Sequence, residues 1–215
     1  TVSVLYWLRS INLKRMRPAI NVFDDQCRRA LRLPGTSDDP AAALCEAVAA
    51  AVANGHHLSG ADFELMQTHT DDRGTVAHCA AMEGNLVVLR FILAADGLGV
   101  QLLSVPNLRE MTIGHAAAEG GQLAVLQWIH ETHELGTNFL RAVAADSRTL
   151  AHVAAAAGRR DVLAWIDDCA GLSLGFLKQV ADVGRNIAHV AAMYDKPDVL
   201  EWIRECDGLG LEFLK

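Results

Sequence analysis

A short segment recurs four times along this chain of 215 residues, and successive copies start 37 residues apart. Sequence repetition with a period of roughly 20 to 50 residues is typical of proteins built from stacked structural units. In such proteins each unit contacts mainly its neighbours in sequence, so the period favours an extended stack over a single closed core. The copies read TVAHCAAMEGNLVVLRFI from Thr75, TIGHAAAEGGQLAVLQWI from Thr112, TLAHVAAAAGRRDVLAWI from Thr149 and NIAHVAAMYDKPDVLEWI from Asn186.

Each copy has the pattern of two short helices. In the second copy, the alanines that follow His115 predict a first helix that ends at Gly120 and Gly121. A second helix is predicted from Gln122 to Thr132, because its apolar residues recur at helical spacing. One such pair has apolar surface on both flanks, so it must stack on its neighbours to bury that surface.

Two apolar residues four positions apart follow each second helix, which indicates an added helical turn packed on the outer side. The pairs are Leu98/Leu102, Leu135/Phe139, Leu172/Phe176 and Leu209/Phe213. Trp128, Trp165 and Trp202 share one position of the second helix, and we interpret this position as part of the core.

The first-helix residues resemble those of the ankyrin-repeat family, whose pattern is T-P-L-H-x-A-A-x-x-G. The matching positions are Thr75/His78/Ala80/Ala81/Gly84, Thr112/His115/Ala117/Ala118/Gly121 and Thr149/His152/Ala154/Ala155/Gly158. In the fourth copy Asn186 and Asp195 replace the threonine and the glycine, no copy has the proline, and the period exceeds the family's usual length of about 33 residues. The resemblance implies an all-α fold, an ankyrin-like α-solenoid of stacked helix pairs. It also implies that each histidine hydrogen-bonds across the loop that joins successive units.

The register of the repeats predicts the domain boundaries. We expect a basic helical segment at 1–38, a degenerate capping repeat at 39–72 with helices at Pro40–Ala53 and Ser59–Thr68, and ankyrin-like repeats at 73–109, 110–146, 147–183 and 184–215, the last one truncated. Residues 1–33 carry seven Lys or Arg against two Asp, whereas the remainder carries twelve against 24 Asp or Glu. An acidic stack is a poor match for phosphate, so nucleic acid is not an expected partner. The basic residues predict a solvated helix face or, as the alternative, a surface for phosphate or acidic partners.

The chain has five cysteines, an odd number without the spacing of a small secreted framework, and no apolar run near the ~20 residues of a membrane span. Free thiols and the absence of a span predict an intracellular protein. The GLSLG segment at 171–175 matches a nucleophile-elbow pattern, but it follows a predicted helix instead of the strand that this motif requires. We therefore expect no catalytic residue, no metal and no cofactor.

A binding face is implied by the resemblance, because in ankyrin-type stacks the exposed positions of the first helices and the loop tips before them line one concave surface. Each loop tip contains an arginine close to the same height, which suits a peptide or helix that carries carboxylates. Ala116, Val153 and Val190 are among the first-helix positions expected to be exposed on this face. The predicted partner-binding residues are Arg73, Met82, Arg109, Glu119, Arg148, Ala156, Arg185, Met193 and Tyr194.

The sequence thus predicts a non-enzymatic protein–protein interaction module that binds a partner protein or peptide on its concave face. Another domain of the same full-length chain is an alternative partner. The rival hypothesis is the targeting or substrate-recruiting arm of a larger enzyme whose catalytic part lies outside this sequence. The resemblance permits an effector secreted by an intracellular bacterium, which would act in the host cytoplasm or nucleus.

Overall fold

The computed structural model describes residues 40–54, 74–96, 98–210 and 213. Within these residues the chain forms twelve α-helices, one 3-10 helix at Asp182–Gly184 and no β-strand, so the prediction of an all-α fold is confirmed. The basic segment at 1–38 and the predicted helix at Ser59–Thr68 lie outside the described residues. None of the helices in the described ranges combines the length and the apolar character that crossing a membrane requires.

The helices recur in sets of three after the first one. In chain order they are α1 (Pro40–Ala53), α2 (Val76–Glu83), α3 (Leu86–Ala94), α4 (Gly99–Leu103), α5 (Ile113–Gly120), α6 (Leu123–Glu131), α7 (Gly136–Leu140), α8 (Leu150–Ala157), α9 (Arg160–Asp168), α10 (Ser173–Leu177), α11 (Ile187–Met193) and α12 (Pro197–Glu205). A first helix of seven or eight residues is followed by a second helix of nine, and in three repeats by a third helix of five. The short third helices, α4, α7 and α10, confirm the predicted additional turn.

The repeat histidine lies in the first turn of each first helix, and in two copies it joins that helix to the next loop. The Thr75 N–H donates to His78 Nδ1 over 3.3 Å, and His78 Nε2 lies 3.0 Å from the Met111 carbonyl oxygen. Since Nδ1 accepts a hydrogen bond, Nε2 carries the proton and donates to that carbonyl. His152 is placed in the same way, with Nε2 3.0 Å from the Arg185 carbonyl oxygen. In these two copies the histidine bridges successive units, as the resemblance implies.

His115 occupies the same position in the second copy and is 1% exposed. Burial lowers the pKa of this imidazole to about 4, and the Arg148 backbone opposes part of the shift. Within the described residues its Nε2 has no hydrogen bond of normal geometry. Burial also lowers the pKa of His152. The rings of His115 and His152 are therefore neutral parts of the interior at neutral pH.

The first helices end in a left-handed residue. Gly121 and Gly158 occupy this position with φ angles of +76° and +75°. In the fourth copy α11 ends at Met193, Tyr194 is its C-cap, and the left-handed residue that follows is Asp195, with φ +54°. A side chain is disfavoured in this conformation, so the fourth copy keeps the turn at a cost in stability.

The first helices pack on one another in chain order, with α1 on α2, α2 on α5, α5 on α8 and α8 on α11. Each second helix packs on the first helix of its own repeat, and α9 contacts both α6 and α12. Equivalent alanines, including Ala80, Ala117 and Ala154, are fully buried, and their small size allows the first helices to approach closely. The result is a stack of helix pairs, so the predicted solenoid architecture is confirmed.

Side-chain hydrogen bonds from one repeat to the preceding one reinforce the stack. Gln122 Nε2 donates to the Met82 carbonyl oxygen at 3.1 Å, and Arg159 Nε donates to the Glu119 carbonyl oxygen at 2.9 Å. Asn85 stands at the same position one repeat earlier, and its amide contacts a residue of α1. This contact spans 40 residues, as the other two do, and joins the first repeat to α1.

Candidate interaction site at the loop tips

Three tight turns lie between successive repeats, each just before a first helix. They span residues 107–111, 144–148 and 181–185. In each turn the N–H of the first residue donates to the carbonyl oxygen of the fifth, over 2.9, 2.9 and 2.7 Å. The loop tips therefore have a defined backbone conformation.

Successive turns are also joined to each other. The Ala145 N–H donates to the Arg109 carbonyl oxygen at 3.0 Å, and the Asp182 N–H donates to the Asp146 carbonyl oxygen at 3.2 Å. Backbone hydrogen bonds between turns fix their spacing along the stack. The loop tips thus form a connected row on one side of the first helices.

Four of the nine predicted partner-binding residues meet at the C-terminal end of this row. They line a cleft of about 140 Å³, which we call the tip cleft. The lining residues are the predicted Arg148, Arg185, Met193 and Tyr194, together with Asp146, Ala181, Asp182 and Val190. Two turns and the first helix α11 contribute these side chains.

The charges of the tip cleft are only partly paired. Arg148 Nε donates to Asp146 Oδ2 at 2.6 Å, and the Arg148 side chain is only 23% exposed. Arg185 is exposed and forms no ion pair within the described residues. Asp146 Oδ1 is buried without a hydrogen-bond donor among these residues. Among the described residues, the cleft therefore presents one guanidinium without an ion pair, that of Arg185, beside the internal pair of Arg148 and Asp146.

Large apolar side chains are exposed around these charges. Met193 is 56% exposed, Tyr194 48% and Val183, in the turn at 181–185, 87%. Val183 has a φ angle of +63°, which is rare for a β-branched residue and strains the backbone. Sequence reasoning missed Asp146 and Asp182 as cleft residues, because only the fold of the turns brings them there.

The structure places two of the four loop-tip arginines, Arg148 and Arg185, in the tip cleft. Only Arg148 and Arg185 are separated by one full period, and the residue one period before Arg148 is Met111. Arg109 is exposed but lies two positions earlier in its turn, outside the tip cleft. Arg73 lies outside the described residues.

The remaining predicted positions lie along the ends of the first helices. Met82, Glu119 and Ala156 are equivalent to Met193, one period apart from one another. Glu119 is exposed, whereas Met82 and Ala156 are half-buried. They lie outside the tip cleft, and the carbonyls of Met82 and Glu119 accept the hydrogen bonds between repeats described above.

The expected exposure of Ala116, Val153 and Val190 is wrong. They are 5%, 4% and 2% exposed. Val153 belongs to a small buried cluster with Met111 and Ala144, which are residues of the turns. Turn residues therefore cover the middle of α8 at Val153.

One thiol–imidazole pair is a possible source of chemistry away from the cleft. Cys169 Sγ lies 3.8 Å from His130 Nδ1, and the same nitrogen lies 3.0 Å from the Thr137 hydroxyl. The His130 ring also contacts Trp165 edge to face, with 6.3 Å between the ring centroids. Burial raises the pKa of Cys169, the opposite of what a nucleophilic thiolate needs. The pair is therefore a packing contact.

Comparison with known proteins adds only a likeness of fold. No protein-family model and no curated protein matches the chain. Among solved structures it is similar to a chain in the crystal structure of the yeast ribosomal protein Rps3 in complex with its chaperone Yar1, with 22% sequence identity and a TM-score of 0.49. The likeness covers 61% of this chain and 91% of that one. At this TM-score it supports no inference about function.

Proposed function

We propose that this chain is a non-enzymatic interaction module that binds a partner polypeptide at the tip cleft. The observation that carries the proposal is the convergence of Arg148, Arg185, Met193 and Tyr194 from two turns and one helix on a single cleft. A guanidinium beside exposed apolar side chains suits a polypeptide segment that carries both a carboxylate and apolar residues.

The proposal includes the assignment of the repeats to the ankyrin type. Its support is the pattern of threonine and histidine in the first turn, the histidine bonds from His78 and His152 to the next loop, and the tight turns between units. The five-residue third helix and the longer period are departures from that family. In ankyrin-type stacks the loop tips and first helices form the binding face, which is where the tip cleft lies.

The partner is expected to place a carboxylate on Arg185. Arg148 already has Asp146 as its partner at 2.6 Å, whereas Arg185 is exposed and forms no ion pair within the described part of the chain. An exposed charge pair contributes only about 0–1 kcal/mol. Contacts with Met193 and Tyr194 must therefore supply most of the affinity, as aromatic anchors commonly do at interfaces.

The tip cleft has a backbone that is held in place before any partner binds. The Arg185 carbonyl accepts from His152, and the turn at 181–185 is bonded both internally and to the turn at 144–148. A preformed site loses less conformational entropy on binding than a loop that must first become ordered. This favours a docking surface over a flexible loop.

A binding role is favoured over catalysis by the side chains of the cleft. Among the residues that the structure describes, no serine, cysteine or histidine lines it. The thiol–imidazole pair of Cys169 and His130 lies elsewhere, and burial raises the pKa of that thiol. The cleft therefore offers no nucleophile of the serine, cysteine or histidine type.

Selection from a random peptide library with the full 215-residue chain tests the proposal. We expect the selected peptides to contain an acidic residue close to an apolar or aromatic one. The double variant Arg185→Glu/Tyr194→Ala should bind them at least about tenfold more weakly, a loss of about 1.4 kcal/mol. Its melting temperature should match that of the wild type, because both side chains are exposed.

The matched control is Val87→Ala/Arg90→Glu, which makes one apolar truncation and one charge reversal at exposed positions of α3. This variant should bind the selected peptides as tightly as the wild type. Peptides that bind the cleft variant and the wild type equally well would refute the tip cleft as the binding site.

A further inference from the structure

Two thiols and a carboxylate meet where α1 packs on α2. Cys79 and Glu83 are one helical turn apart on α2, and Cys45 comes from α1. Their Sγ and carboxylate oxygen atoms all lie within 4.8 Å of one another, and Cys79 Sγ is 3.5 Å from Glu83 Oε1. Within the described residues no other three side chains of this kind come as close.

The repeat does not explain this cluster. One period after Cys79 and Glu83 stand Ala116 and Gly120, and one period after Cys45 stands Met82. Later interfaces between first helices therefore carry no such group. Cys169 and Cys206, in contrast, are one period apart and are placed by the repeat itself.

The separations fit a tetrahedral zinc ion. Zinc binds sulfur at about 2.3 Å and carboxylate oxygen at about 2.0–2.2 Å, which puts a sulfur and an oxygen ligand about 3.6 Å apart and two sulfur ligands about 3.8 Å apart. The distance of 3.5 Å between Cys79 Sγ and Glu83 Oε1 agrees with the first value. The other two separations between ligand atoms, from Cys45 Sγ to Cys79 Sγ and to the Glu83 carboxylate, are at most 4.8 Å. Only small side-chain movements would bring them to the zinc values.

We propose that Cys45, Cys79 and Glu83 form a binding site for one thiophilic divalent cation of the zinc type, which joins α1 to α2. Three protein ligands leave the fourth position to water or to an external ligand. The Asn85 amide lies 3.9 Å from Cys45 Sγ and is oriented to donate to it, and such a donor orients and stabilises a metal-bound thiolate.

Cation binding replaces the proton of each thiol by a metal–sulfur bond and releases it to solvent. The site would then act as a clamp between the N-terminal helix and the first clear repeat.

Cobalt(II) titration of the full, untagged and reduced chain tests the site. We expect one equivalent to bind with a near-ultraviolet thiolate-to-cobalt absorption band, and zinc to displace it. Cys45→Ser and Cys79→Ser should each abolish the band. Glu83→Gln, at an exposed position that keeps both thiols, should retain sulfur ligation but weaken binding at least about tenfold. The matched control is Cys169→Ser/Cys206→Ser, which removes two thiols elsewhere and should bind cobalt like the wild type.

A ligand that binds only the folded state stabilises it, so zinc should raise the melting temperature of the wild type and of the control. The increase should be smaller for Glu83→Gln. Absence of the absorption band in the reduced wild type would overturn the site. Cobalt uptake that persists in Cys45→Ser or Cys79→Ser would also overturn it. A third contrary result would be a chain in which Cys45 and Cys79 form a disulfide on oxidation but which binds no cobalt when reduced.

Discussion

Lowering the pH should destabilise the stack through the ring of His115, which is 1% exposed. Burial lowers the pKa of this imidazole from 6.5 to about 4. The unfolded chain takes up the proton near the higher value and the folded chain only near the lower one. The unfolded state therefore binds more protons in this window, and the contribution of His115 to stability, complete at neutral pH, is lost as the pH falls.

The size of the effect follows from the two pKa values. With values of 6.5 and about 4, the free energy of unfolding falls by about 2 kcal/mol between about pH 7.5 and about pH 5 from this residue alone. The lowered pKa of His152 acts in the same direction. A loss of this size is a large fraction of the stability of an ordinary domain.

Urea unfolding at these two pH values measures the contribution of His115 to stability. The chains to compare are the wild type, His115→Gln and Ile129→Val. His115→Gln should lower stability by about 1–3 kcal/mol at the higher pH, and this difference from the wild type should shrink by about 2 kcal/mol at the lower pH. Ile129→Val, a buried substitution in α6 of the same repeat, should cost about 1 kcal/mol at both. A deficit of His115→Gln that is equal at both pH values would refute the reasoning.

Two further predictions concern glycine positions, and urea unfolding measures both. A Cβ at Gly120 would lie 2.0 Å from the Met82 carbonyl oxygen, so Gly120→Ala should force α2 and α5 apart and cost about 3 kcal/mol. Gly175 lies in α10, and no atom is near a Cβ added there, so Gly175→Ala should be neutral or stabilising by up to about 1 kcal/mol. Equal costs for Gly120→Ala and Gly175→Ala would contradict the close contact between α2 and α5. Asp195→Gly should stabilise the fourth copy by about 1 kcal/mol and Gly158→Asp should destabilise the third, because both positions have left-handed backbone. A loss of stability in Asp195→Gly would contradict the strain.

The period carried most of the information about the fold. The bounds predicted for α1 agree with the structure, and those of α5 and α6 agree to within about one residue. These elements are predictable because the apolar spacing, the first-turn histidine and the glycine at the helix end are all local signals.

The candidate site was predicted less well, because burial at the loop tips is decided by tertiary contacts. The resemblance to ankyrin repeats implies an open position for Val153, yet the turns bury it against Met111 and Ala144. The conformation of Val183 and the approach of Asp146 to Arg148 likewise depend on how the turns pack. No local pattern contains that information.

The cysteine cluster has no signature in the sequence either. Cys45 and Cys79 are 34 positions apart, a spacing that matches no metal-binding motif, and the sequence accordingly predicts no metal. Only the packing of α1 on α2 brings the two thiols and Glu83 together.

Hydrogen–deuterium exchange of the full chain, with and without a library-selected peptide, tests most directly whether the tip cleft is the binding surface. The account predicts that exchange slows in the turns at 144–148 and 181–185 and at Met193 and Tyr194, with α9 and α12 unchanged. Slower exchange in α9 or α12, with both turns unaffected, would contradict it.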